Sequence, residues 1–341
     1  MAALPSHGGT LYRGAAHGGT YRSFPTASAG VIAPCMNSAP RRSRMRRTPI
    51  GKRLELTPRD IEIFKALSRY RYLRSTYLHA FVGGASTKRF KERLGNLFHE
   101  GFIDRPDRQW KFLNARSRAA VYENDAGAAR VLLDSGVVAN DIRTFPHAKP
   151  HRQFLHSLMI CEALASLDLG ARANPRLRYI AWPEIFARAP VNTRLASTPF
   201  RIPVPSGGYL VPDGMFGFEY DLGEKKAYRF FALEADRGTM PLVRSDRNQT
   251  SLFGKLAAYR EIIARQVHKT HLGISTLFVL TITTSQERVN EILRQIEDQM
   301  GSAAATFLFK AVDATAFTTP MNRVFFEPWE LAGLSPLRID E

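Results

Sequence analysis

Asp213, Glu234 and Asp236 are the side chains through which this chain could do chemistry. The stretch FALEADRGT, residues 231–239, reads as a buried strand that runs into two acids spaced so that both project to one side of an extended backbone. VPDG, residues 211–214, lies upstream on the other arm of an expected hairpin. If DLGEKK, residues 221–226, is the turn, pairing is symmetric about the midpoint between Gly223 and Glu224, and Asp213 falls opposite Glu234 while Val211 falls opposite Asp236. Three carboxylates gathered at the open end of one hairpin repel each other. A divalent cation, Mg²⁺ or Mn²⁺, removes the conflict, because such ions take oxygen ligands from one or two carboxylates and leave the rest to phosphate and water. Phosphodiester hydrolysis is the chemistry such a site serves most naturally.

Two more residues lean toward that site. On the helix expected after the hairpin, Leu252, Leu256, Tyr259 and Ile263 form the apolar stripe, and Lys255 lies about 60 degrees around the axis from Leu252, at the stripe's edge. Glu162 shares a helix face with Leu155, Leu158 and Met159, a poor place for a lone acid, and is a further candidate ligand. Plain structural readings stand beside these. Asp213 can shape a turn, Asp236 with Arg237 and Gly238 can form a strand exit, and Lys255 can carry its ammonium out to water. His147, His151, His156, His268 and His271 raise the alternative of zinc, but Pro150 interrupts the first set and no cysteine joins them.

The surrounding chain must hold these residues in place. Its 341 residues, 44% of them hydrophobic, suffice for two ordinary domains. No run approaches the eighteen or so uninterrupted apolar residues of a membrane helix, and the two cysteines, Cys35 and Cys161, suggest neither a disulfide framework nor a metal knuckle. A bacterial cytoplasm is the expected compartment. The net charge of +17 is uneven: +7 in residues 1–50, +9 in residues 51–122 and +1 in the remainder. A concentrated positive field favours a polyanionic partner. Residues 1–50, rich in Gly, Ser, Ala and Pro and ending near RRSRMRR, read as a disordered basic tail. An organelle transit peptide, or a true start at Met36 or Met45, are the other readings of this segment, which lacks the apolar core of an export signal.

The expected fold class is α/β (α+β): an N-terminal winged helix-turn-helix over 54–124, a linker with a short helix over 125–150, and an αβββαβ domain over 151–330. LTPRDIEIFKALSRYRYL carries a cap at Thr57, Pro58 at the first helical position, and Ile61, Phe64 and Leu67 at helical spacing. STKRFKERLGNLFHEG starts at Ser86, stops at Gly101 and aligns Phe90, Leu94, Leu97 and Phe98. FIDR and AAVYEN read as two strands joined by a long basic hairpin. In such a module the third helix enters the major groove of double-stranded DNA. Lys88, Arg89 and Asn96, flanked by Lys91 and Arg93, are then the candidate contacts, and the hairpin adds Arg105, Arg108, Lys111, Arg116 and Arg118, with Trp110 available to stack.

These blocks carry two resemblances. LTPRDIEIFKALSRYRYL with RFKERLGNLFHEGFIDR, and later LVPDGMFGF with FFALEADRGT and KLAAY, resemble the replication-relaxation family of plasmid-associated and mobile-element-associated bacterial proteins over about residues 54–265. Separately, Pro212 and Asp213 with Glu234 on a hairpin after a helix resemble the PD-(D/E)xK nuclease core. The first resemblance implies DNA binding in plasmid replication or DNA relaxation. The second implies Asp213 and Glu234 as metal ligands, with Lys255 in place of the usual lysine, since Asp236 occupies that lysine's position. A non-enzymatic replication or transcription regulator, or a recruiter of a relaxase or replication initiator, are the alternatives. Oligomeric state, a homodimer included, is left open.

Overall fold

The structure, a computed structural model, describes residues 42–51, 53–112, 118–137, 152–238, 251–300, 305–313 and 318–341. Thr57 opens the first helix: its hydroxyl accepts from the Asp60 amide, while the Asp60 carboxylate accepts from the Thr57 amide. This reciprocal box satisfies two donors that a helix start leaves unpaired. Helix α1 (Pro58–Tyr70) buries Ile63, Phe64, Leu67 and Tyr70, leaving Ile61 half-buried. After strand β1 (Leu73–Arg74), helix α2 (Ser75–Val82) ends at Gly83, whose φ of +68 suits glycine. Helix α3 (Thr87–His99) is capped by Ser86 and buries the expected stripe of Phe90, Leu94, Leu97 and Phe98.

Next come β2 (Ile103–Asp104), α4 (Arg108–Phe112), β3 (Val121–Asn124) and α5 (Ala126–Asp134). The three short strands form an antiparallel sheet in the order β1-β3-β2. Contrary to the expected long hairpin, the connection between β2 and β3 is not simply a loop, because α4 interrupts it. Gln109 on that turn is fully buried, and its side-chain amide both donates to and accepts from the Val121 backbone, at 2.9 and 2.8 Å. A buried amide paired this completely fixes the segment against β3. Arg116 lies outside the described residues.

Beyond residue 151 follow α6 (Arg152–Ala173), β4 (Leu177–Ala181), α7 (Trp182–Ala187), α8 (Val191–Leu195), β5 (Ile202–Pro203), β6 (Tyr209–Leu210), β7 (Gly214–Asp221) and β8 (Lys226–Asp236). Then come α9 (Leu252–Ala264), α10 (Val267–Leu272), β9 (Phe278–Thr283), α11 (Gln286–Met300), β10 (Phe307–Ala311), α12 (Asn322–Phe326), β11 (Trp329–Leu331) and β12 (Leu334–Leu337). Seven strands form one mixed sheet, ordered β12-β11-β10-β9-β8-β7-β4, in which β8, β9 and β10 run parallel. The expected order of helix, three strands, helix and strand is present as α6, β4, β7, β8, α9 and β9. The segment from α7 to β6 is inserted between the first two strands.

Alternation along the strands divides the core into two layers. Met215, Ala232, Val279 and Phe309 face α9 and α11, whereas Phe216, Phe218, Phe231, Leu233 and Leu280 face α6 and α12. Helix α6 is long and apolar enough, by length and composition, to cross a membrane, although 61% of that apolar stretch is buried within the protein. It is apolar on opposite sides because it is covered on both. Met159, Ala163, Leu167 and Ala171 meet the large sheet, and Ala165 joins the core of the N-terminal helices. Polar links cross the same seam. Arg74 pairs with Glu162, Tyr70 donates to Asp168 at 2.6 Å, and Tyr77 meets Ser166 at 3.1 Å, all six residues being buried. The segment from Ser43 to Glu341 therefore forms one compact unit.

Candidate functional site

Strand register decides where the acids meet. Gly214 pairs with Leu233 and Met215 with Ala232, so the residue preceding β7, Asp213, comes opposite Glu234 as the turn symmetry requires. Glu234 lies on the α9 side of the sheet, and Lys255 on α9 reaches it. The Lys255 ammonium stands 2.5 Å from Glu234 Oε2 and 3.4 Å from Asp213 Oδ1. One cation thus brings both carboxylates within its own reach. Tyr259, one helical turn beyond Lys255, donates to Glu234 Oε1 at 2.6 Å. Asp213 Oδ2 accepts from the Ala235 amide at 3.0 Å and lies 3.2 Å from His156 Nε2, which is itself 3.0 Å from the Ala235 carbonyl oxygen.

The two carboxyls titrate in opposite directions. Burial would raise Asp213, but the His156 bond and the Lys255 charge outweigh it and bring the group down to about 2. Burial, reinforced by the Asp213 charge, pushes Glu234 up to about 8 against the pull of Lys255. Burial alone would lower Lys255, yet Glu234 and Asp213 hold it above its ordinary value. His156 is raised by its bond to Asp213 in spite of burial. The cluster therefore sets two acids with oppositely displaced pKa values around one shared ammonium. Carboxyls whose environments separate their pKa values this way suit division between proton transfer and charge stabilisation.

Asp236 and Glu162 stand apart from this group. Asp236 shares the α9 and α11 side, but its carboxylate accepts from Arg288 on α11 at 2.8 Å and from the Gly238 amide at 3.0 Å. Glu162 is not a neighbour of Asp213: it is bound to Arg74 across the seam, and burial pushes it up to about 8 despite that partner. The described histidines of that set do not gather. His156 goes to Asp213, His271 contacts Thr193 and the Pro199 carbonyl, burial lowers His268, and His147 and His151 lie outside the described residues. Among the described residues no group of three His, Cys, Asp or Glu side chains is placed to hold a metal ion. The donor set at the cluster is instead two carboxylates, Asp213 and Glu234. Both Glu234 oxygens already accept, from Lys255 and Tyr259, and the Lys255 ammonium is the cation the two acids share. On β9, Thr281 and Thr283 pair in register with Glu234 and Asp236, and their buried hydroxyls have no hydrogen-bond partner among the described residues.

The basic candidates separate as well. Lys88, Arg89 and Lys91 stand exposed on α3, as do Lys111 and Arg118 around the β2–β3 connection, while Arg108 and Asn96 are half-buried. Arg93 is different. It pairs with the buried Asp60 at 2.5 Å and donates to the Glu55 carbonyl at 2.7 Å, tying α3 to the start of α1. Arg105 is buried, lies over the Phe98 ring and donates to the Tyr122 hydroxyl at 3.1 Å. A cavity of about 590 Å³ gathers Arg44, Lys91, Arg105 and Arg118 with no carboxylate among its described lining residues. Like charges around one concavity favour an anion there.

Sequence reasoning missed His156 as the partner of Asp213 and treated Tyr259 only as an apolar stripe residue. The i,i+4 spacing of Lys255 and Tyr259 was the available signal for the second. A family profile described as Replication-relaxation matches residues 64–277, a span that includes most of α1, all of α3 and the complete acid–lysine cluster. No curated protein and no solved structure gives a match.

Proposed function

We propose, from the premise that the chain belongs to the replication-relaxation family, that it binds double-stranded DNA in plasmid or mobile-element replication or relaxation, and that its acid–lysine cluster processes a phosphodiester. The observation that carries this reading is Lys255 held between Asp213 and Glu234 at the open end of the β7–β8 hairpin. The N-terminal helices with their β1-β3-β2 sheet are read as a winged helix, with α3 presenting Lys88, Arg89 and Lys91 to the duplex. The larger sheet with α6 and α9 is read as a PD-(D/E)xK-like core whose lysine has moved from the strand to the following helix.

In this reading Asp213 and Glu234 would hold Mg²⁺ or Mn²⁺, which when bound activates water and neutralises a leaving oxygen. Lys255 supplies a fixed positive charge for a phosphate oxygen, and Tyr259 orients Glu234 by its hydrogen bond. His156 holds Asp213 toward the Ala235 amide. The test is conversion of supercoiled plasmid in Mg²⁺ or Mn²⁺ by wild type and by Asp213→Ala, with a gel shift alongside. Conversion by wild type alone, with equal DNA affinity, supports the enzyme. A second reading, a non-enzymatic replication or transcription regulator or recruiter of an initiator, is favoured by Asp236 being engaged with Arg288. Wild type that shifts DNA but leaves it intact under every divalent ion would establish that second reading.

A further inference from the structure

A cavity of about 410 Å³ adjoins the acid–lysine cluster and shares Asp213 with it. Its volume falls within the roughly 300–1,000 Å³ of small-molecule sites. Three of its walls are flat rings, Tyr179, Trp182 and Phe200, and Arg69 from the end of α1, paired with Asp168 at 3.1 Å, lines it as well. Tyr179 is backed by Phe216 and Trp182 by Phe186, with centroids 5.6 and 5.3 Å apart, while Trp182 and Phe200 touch each other at 3.8 Å and form one continuous aromatic wall. Phe200 at 40% and Val211 at 47% exposure form an apolar lip. The lip belongs to a wider pattern. Val191, Leu195, Phe200, Tyr209 and Val211, five of the eleven large apolar side chains that stand exposed among the described residues, fall within residues 191–211, inside the insert between β4 and β7. An insert that keeps rings in water beside a charged cluster is built for a ligand that is flat, apolar on its faces and attached to an anion.

We propose that this cavity receives an unstacked nucleobase of the strand whose phosphate lies at Asp213, Glu234 and Lys255, so that the substrate is single-stranded or locally melted DNA. The proposal rests on the phosphodiester reading of the neighbouring cluster. Inside an intact duplex a base cannot reach such a pocket, whereas an unpaired base stacks on aromatic rings whatever its sequence.

Base capture can be read without cleavage. A single-stranded oligonucleotide carrying 2-aminopurine, titrated with the full chain in Ca²⁺ so that a divalent ion is present, should lose fluorescence as the analogue stacks on the rings; a duplex, in which the analogue is already stacked and dim, serves only in the gel shift. Trp182→Ala, and separately the more exposed Phe200→Ala, should weaken the single-strand titration roughly ten- to a hundred-fold, leaving the duplex gel shift unchanged. Absence of a quench in wild type, or a quench that survives both aromatic variants, would overturn the proposal. A quench without any plasmid conversion would retain the base pocket and discard the phosphodiester reading; conversion without a quench would do the reverse.

Discussion

Lys91 and Lys255 are the same residue type held in opposite environments in two regions of one chain. On α3, Lys91 stands in water beside Lys88, Arg89 and the exposed Glu92, while Asp60 is buried against Arg93, where it fixes the fold. At the sheet, Lys255 is enclosed with two carboxylates, its side chain 15% exposed. An exposed like-signed field acts at a distance and is screened by salt, while a buried mixed cluster acts only at contact and responds to protonation. Net charge therefore registers the first kind of environment and is blind to the second, since the C-terminal part contributes almost nothing to the +17.

The largest effects should come from breaking that contrast. Lys255→Met leaves two buried carboxyls without their shared cation and should cost about 3–5 kcal/mol in urea unfolding, whereas Lys91→Met should stay within about 0.5 kcal/mol. Similar losses for the two variants would show that their environments do not differ as described. Next in size is the seam. Arg74→Met leaves buried Glu162 without its guanidinium partner and should destabilise the fold by a few kcal/mol.

The acid of the same pair carries a pH signature. Because the folded-state pKa of Glu162 is raised to about 8, the folded protein holds a proton that the unfolded chain has released above about 4.5. Stability contributed by this group therefore falls as pH rises from about 4.5 to about 8. Thermal melts across that window should show a smaller pH slope in Glu162→Gln than in wild type, and equal slopes would contradict the assignment. Smaller still is the exposed field. Replacing Lys88, Arg89 and Lys91 by Ala should flatten the dependence of log affinity on log salt by about 0.9 for each phosphate that these side chains neutralise, while Arg93→Ala should act mainly on stability. An unchanged slope in the triple variant would remove α3 from the DNA interface. The smallest effect is at the helix start, where Thr57→Ala should cost about 1 kcal/mol in the same unfolding experiment.

What was legible in the sequence was local. The Asp213–Glu234 register follows from one turn and a period of two, and the inward direction of Lys255 follows from its angle on a helix. The cap at Thr57 and the buried stripe of α3 follow from spacing in the same way. Partners distant in the chain were not legible. Nothing near Glu162 names Arg74, 88 positions away, and nothing near Arg105 announces that Phe98 and Tyr122 enclose it. Charge runs overstate a binding face for this reason. Arg93 and Arg105 look like their exposed neighbours until tertiary packing assigns them to Asp60 and to aromatic rings.

Helix α6 has a practical consequence for anyone dissecting the protein. It is roofed by the large sheet on one side and by the N-terminal helices on the other, with Glu162, Ser166 and Asp168 all facing groups from before residue 80. A truncation beginning at residue 151 would strip that second side, wetting Ala165 and stranding a buried acid. Recombinant fragments cut at the apparent boundary should therefore precipitate or melt early, and assays of either half are best run on point variants of the intact polypeptide.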